Sequence, residues 1–168
     1  MIKLSTKEII LFGIYGTIMY LSKIIMELVP NVHLTGVFVI VFTVAYGAKA
    51  LYPIYVFVFL TGLFSGFATW WIPYLYIWTV LWGAVMLVPK RKRESLPAFA
   101  YMLICALHGL LYGVLYAPAQ MILYGMSFEG ILAWIVAGLP WDMVHAAGNF
   151  FGAVLVRPLI SAIKRFEK

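Results

Sequence analysis

Apolar residues run along this chain in long, nearly unbroken blocks, and polar residues are confined to the gaps between them. The blocks are roughly Ile9–Val29, Leu34–Ala48, Leu51–Thr69, Ile72–Val88, Pro97–Ala117 and Pro140–Ile163. A helix rises about 1.5 Å per residue, so about 20 residues cross the hydrocarbon core of a bilayer. The pattern therefore predicts an all-α integral membrane bundle of six transmembrane helices in a single domain, with spans near 9–29, 31–48, 51–69, 72–88, 97–117 and 140–163. The second block is short and reaches spanning length only by starting near Asn31. Pro118–Leu139 is apolar as well. Within it, Ser127 predicts a helix N-cap and Gly138–Pro140 a stop. This extracytoplasmic stretch fits a lid, a re-entrant turn or the outer half of a long final helix.

Charge turns the pattern into a topology. With the N-terminus inside, the cytoplasmic ends collect Lys3, Lys7, Lys49, Lys90, Arg91, Lys92, Arg93, Arg157, Lys164, Arg165 and Lys168, and the opposite loops collect no Lys or Arg. Only Lys23 lies inside a span. Positive residues stay on the cytoplasmic side of membrane proteins, so both termini are expected there. The net charge of +6 is thus a topology signal; its residues flank apolar spans and form no basic stripe for nucleic acid. Ile9–Val29 is too long for the core of a cleavable signal peptide and is expected to be retained. Composition agrees: 65% of the 168 residues are hydrophobic and 11% charged, too few charges to cover a water-soluble surface. The single Cys105 excludes a disulfide within the chain.

Ionisable groups inside a membrane cost roughly 2.5–3.5 kcal/mol each on insertion scales and ask for a reason. Most of them gather in the outer half. Lys23 and Glu27 are four apart on the first helix and can pair; Asn31 and His33 follow in the first outer loop. Asp142, His145 and Asn149 share one face of the last helix. His108, Tyr112, Tyr116 and Gln120 form a stripe on the fifth, and Trp70, Trp71, Tyr74, Tyr76 and Trp78 cluster between the third and fourth blocks. Converging on one side of the membrane, these residues predict an aromatic and polar cavity open to the outside, suited to a small flat ligand. Structural roles compete for each of them. Asp142, next to Pro140, suits a helix N-terminus. His145 and Asn149 suit interhelical hydrogen bonding, Lys23 and Glu27 a structural pair, and the Trp and Tyr residues an interfacial belt.

Gly13 and Thr17, four apart with Gly16 beside them, place small residues on one stretch of the first helix. Such spacing allows close helix approach, within the chain or to another subunit. In size, topology and these local motifs the chain resembles the substrate-binding S components of energy-coupling factor (ECF) vitamin transporters. Gly13-x-x-x-Thr17 resembles the family's Ala-x-x-x-Ala motif on the first helix, with both alanines replaced. Gly138-Leu-Pro-Trp-Asp-Met-Val-His-Ala-Ala-Gly-Asn149 resembles the start of the last helix, which helps line the ligand cavity.

The resemblance implies a multi-pass protein of a prokaryotic cell membrane that captures a vitamin or related heterocycle from outside. Its implied partners are a transmembrane coupling subunit, contacted at Gly13, Gly16 and Thr17, and two cytoplasmic ATPases. The S component itself would topple in the membrane to deliver the ligand. The expected ligand-binding residues are Lys23, Glu27, Asn31, His33, Trp71, Tyr74, His108, Tyr112, Asp142, His145 and Asn149, with no cofactor, no metal and no catalytic residue. Asp142, Glu27 and Glu129 favour a cationic or hydrogen-donating ring. The chain has no GxxxxGK[ST], HExxH or GxSxG motif. Rival readings are an intramembrane enzyme using His108, Asp142 and His145, and a non-catalytic assembly subunit whose polar groups join helices.

Overall fold

A computed structural model describes residues 3–29 and 31–166, so Lys168, counted above with the cytoplasmic charges, lies outside the described residues. Among them every regular element is helical. The helices are α1 (Thr6–Met26), α2 (Thr35–Tyr46), α3 (Leu51–Ser65), α4 (Tyr74–Met86), the single turn α5 (Lys90–Arg93), α6 (Ala98–Leu110), α7 (Tyr112–Tyr124), α8 (Phe128–Gly152) and α9 (Val156–Phe166). Four continuous helical stretches are long and apolar enough to cross a membrane: Thr6–Met26, Thr35–Ser65, Ala98–Tyr124 and Phe128–Phe166.

Local chemistry sets the boundaries. Ser5 opens α1 through a reciprocal capping box with Glu8. Gly47, at φ +59°, ends α2, a backbone conformation that glycine alone adopts without strain. The chain then reverses: Phe12 of α1 meets Tyr46 before the turn and Tyr52 after it, at ring separations of 5.1 and 6.1 Å. Farther along, Tyr15 stacks on Phe42 and Tyr20 on Phe64. Hence α2 runs antiparallel to α1 and α3 runs parallel to it, so the stretch 35–65 makes two traverses. α4 returns beside α3, with Trp71 and Trp78 at Val58 and Phe57. α6 then follows α4, and α8 runs back along α7 and α6, from Asp142 beside Gly113 of α7 to Asn149 beside Cys105 of α6.

Nine of the twelve residues of α2 are buried, which is why this helix is apolar on every face. α1, by contrast, presents Ile9, Ile10, Ile14, Leu21 and Ile25 outward. Small residues bring the helices close: a Cβ on Gly109 would lie 3.0 Å from the Ala146 backbone, and one on Gly36 would lie 3.0 Å from the Cys105 sulfur. Gly148 and Gly152 pack internally, against Val32 and Leu34.

The stretch 118–139 departs from the expected stop. Ser127 does cap a helix, accepting from the Gly130 N–H at 3.1 Å. That helix does not close at Gly138–Pro140; it runs through Pro140 to Gly152. Pro140 sits in it although proline lacks the N–H for one intrahelical bond; α8 packs there against α6 and α7. The other half of the stretch, up to Tyr124, completes α7, and Gly125 at φ +61° makes the turn between them. Residues 118–139 are therefore the two arms of a helical hairpin. Asp142 consequently lies mid-helix, not near the N-terminus of the last helix.

Among the described residues, the basic side chains other than Lys23 share one end of the bundle. Lys49 pairs with Glu8, Lys164 with Glu94 at 3.3 Å, and Arg93 is buried beside Gly47.

Candidate functional site

At the end of the bundle opposite the basic loops, α1, residues 27–29 and 31–33 of the following loop, α4, α7 and α8 border a cavity of ≈ 230 Å³. Its lining is Lys23, Met26, Glu27, Val29, Asn31, Val32, His33, Tyr74, Tyr112 and His145. Each residue arrives by a local rule. Lys23 and Glu27 lie one turn apart at the end of α1 and form an ion pair at 2.6 Å. Asn31 turns the connecting loop with a left-handed backbone at φ 58°, a conformation asparagine tolerates better than most residues. Tyr74 opens α4, and Trp78, four residues later, lies directly beneath it.

The walls are aromatic. The His33 and His145 rings stand 4.6 Å apart edge to face, and Tyr112 meets His145 at 4.7 Å. Trp78 faces His33 at 6.0 Å and Tyr74 at 5.6 Å. Such edge-to-face pairs hold ring planes in place. Several buried polar atoms here have no hydrogen-bond partner among the described residues: His33 Nδ1, Trp78 Nε1 and His145 Nε2, with Thr35 Oγ1, His108 Nδ1 and Asn149 Oδ1 around them. Buried polar groups are normally paired. Two of these atoms, His33 Nδ1 and His145 Nε2, belong to residues that line the cavity.

The expected site residues thus divide. Lys23, Glu27, Asn31, His33, Tyr74, Tyr112 and His145 meet around one space. Trp71 does not reach it: its indole N–H donates to the Val58 carbonyl at 2.8 Å, and its ring meets the Phe67 edge at 4.9 Å. His108 lies behind Trp78, with Nε2 3.2 Å from the Ile77 carbonyl. Asn149 is fully buried between α8 and α6, donating to the Cys105 carbonyl at 3.1 Å.

Asp142 has a different task. The helix breaks at Leu111, whose ψ of 5° leaves the first N–H groups of α7 without carbonyls one turn back. The Gly113 N–H donates instead to Asp142 Oδ2 at 3.0 Å. Asp142 therefore caps α7 from a neighbouring helix. The helix-terminus role that its sequence position suggests is correct in kind and belongs to another helix. The cap is close to the cavity, because Tyr112 precedes Gly113 and His145 follows Asp142 by one turn. Asp142 itself borders a separate cleft with Tyr116, Trp134 and Trp141. Glu129 is exposed on the first turn of α8. His108, Asp142 and His145 occupy three different surroundings, and among the described residues no group of three or more His, Cys, Asp or Glu is placed to hold a metal.

In the sequence Trp78 stands out only as one of an aromatic cluster. Its i, i+4 relation to Tyr74 is the available signal for its place beneath that ring, and nothing in the sequence marks Thr35.

The three small residues of α1 also divide. A Cβ on Gly16 would lie 2.5 Å from Val56 and 2.9 Å from the Pro53 carbonyl oxygen, so Gly16 serves α1–α3 packing. Gly13 has open space around its Cα, and Thr17 is exposed, its hydroxyl bonded back to the Gly13 carbonyl at 2.9 Å.

No protein-family model, curated protein or solved structure matches this chain.

Proposed function

We propose that this protein is the substrate-capture subunit of an ECF-type vitamin importer, six traverses deep with both termini cytoplasmic. It would bind a small heterocyclic micronutrient from outside for ATP-driven uptake by partner subunits. The observation that carries this reading is the aromatic cavity at the end opposite the basic loops, with unpaired His145, His33 and Trp78 nitrogens around it. The positive-inside rule puts that end outside, where a capture subunit needs its site. The pairing of α2 with α3 and of α3 with α4 supports the count of six, since the helical hairpins divide the chain into alternating traverses.

Coupling would use the exposed strip of α1 that carries Gly13 and Thr17. An apolar groove of ≈ 610 Å³ lies on neighbouring α3 along Tyr52, Tyr55, Val56 and Phe59 and would extend that surface. A transmembrane coupling protein and two cytoplasmic ATPases complete the transporter on this reading.

The test is co-expression with an ECF coupling protein and its two ATPases from the same source, followed by co-purification. Wild type is expected to assemble, and Gly13→Leu, which places bulk on an open face, is expected to lose assembly while staying folded. A wild type that stays separate from a folded, matched module removes the transporter reading. A Gly13→Leu variant that assembles normally removes the docking face alone.

A further inference from the structure

Around the cavity, charge and hydrogen-bonding capacity are unevenly distributed. Its two charged side chains are Lys23 and Glu27. The Lys23 side chain is 16% exposed and that of Glu27 55%, so the ammonium is the inner charge and the carboxylate the outer one. Groups that only donate include this ammonium and, behind the His33 and Tyr74 walls, the buried Trp78 indole N–H, which has no partner among the described residues. His145 is 3% exposed and lines the space with Nε2 unpaired; His33 Nδ1 is likewise unpaired. Imidazoles and the Tyr74 and Tyr112 phenols can donate or accept. Asn31 stands exposed at the rim. Of the three carboxylates that favour a cationic ligand, two lie elsewhere: Asp142 holds Gly113, and Glu129 is on an exposed turn. The third, Glu27, lines the cavity only from its exposed side and is paired with Lys23.

We infer that the cavity selects a small, single-ring ligand bearing a carboxylate or a similarly anionic, acceptor-rich group, and that Lys23 exchanges Glu27 for that group on binding. The inference rests on the capture reading above and reverses the sign of charge that the sequence favours. Size limits the ligand to one ring, because ≈ 230 Å³ falls below the roughly 300 Å³ at which drug-sized pockets begin. The exchange is favourable because an exposed ion pair contributes little. The same ammonium facing an anion on the inner side of the cavity, farther from solvent than Glu27, interacts more strongly. His33, His145 and Tyr112, fixed edge to face, would bracket the ring.

The experiment uses the full chain in lipid nanodiscs and follows binding by calorimetry and tryptophan fluorescence. The probes are pyridine, pyrimidine and benzene rings, each carrying a carboxylate, a carboxamide or an aminomethyl group. At least one carboxylate is expected to bind tenfold or more tightly than the aminomethyl compound on the same ring. Lys23→Met should abolish that preference and Lys23→Arg should retain it, with thermal melting confirming that both variants are folded. Equal or tighter binding of the amines, a preference that survives Lys23→Met, or no binding by any probe overturns the inference. Co-purification with the coupling module, run on the same preparation, separates the two ideas. Assembly without acid preference sinks only the charge assignment, and failure to assemble sinks the capture reading beneath it.

Discussion

A backbone N–H that loses its helical carbonyl must find another acceptor or remain unsatisfied in an apolar setting, and Gly113 finds Asp142. Removing that acceptor leaves a buried donor unmatched, at a cost of about 1–3 kcal/mol. Asp142→Ala is therefore expected to lower the melting temperature in detergent, while Asp142→Asn, which keeps an oxygen to accept the bond, should melt close to wild type. If Asn and Ala lower melting equally, the carboxylate acts through its charge and the cap is not its role. Ligand binding should follow the same order, since the cap holds Tyr112 against His145. His145 touches the cavity directly. His145→Ala is expected to weaken binding of any probe found for the site by tenfold or more, and unchanged affinity would remove this wall from the site.

At the scale of elements, each helix join depends on a few small residues. Gly16 admits α3 to within contact of α1, so Gly16→Val inserts atoms where Val56 and the Pro53 carbonyl already sit. Overpacking of this kind costs about 1–3 kcal/mol. Thermal melting should show the loss for Gly16→Val and almost none for Gly13→Val, three residues away on an open face. Equal effects at both positions would mean that α1 does not pack on α3 as described. Hydrophobic pattern made the existence of these helices legible, and Ser127 made the start of α8 legible, because capping is local chemistry. The turns at Gly47 and Gly125 emerge only in the structure. The extent of α8 was not legible. Pro140 reads as a stop until a neighbouring helix stabilises the continuous one, and that neighbour is nearly thirty positions away in sequence.

For the whole molecule, the positive-inside pattern and the clustering of basic ends predict which residues meet the outside. With single cysteines placed at Ser95 and at Glu129, a membrane-impermeant thiol reagent added to intact cells should label Glu129→Cys and leave Ser95→Cys untouched until the cells are opened. Cys105 is fully buried and supplies a silent background. Labelling of both positions from outside would overturn the topology and, with it, the outward-facing cavity.

Taken alone, the sequence determined that the protein is helical and apolar enough for a membrane, which end carries the basic charge, and that its polar residues concentrate at the other end. These properties follow from composition and from periods of a few residues, which no tertiary contact has to supply. The partition of those polar residues was decided only by the fold. Seven of the eleven expected ligand residues border one cavity. Asn149, His108, Trp71 and Asp142 meet carbonyl or amide groups on other elements instead. A hydrogen bond between distant segments depends on where two helices cross and how each is rotated. That crossing is fixed by the small residues and side-chain packing between them, and these leave no mark at the position of the polar residue itself.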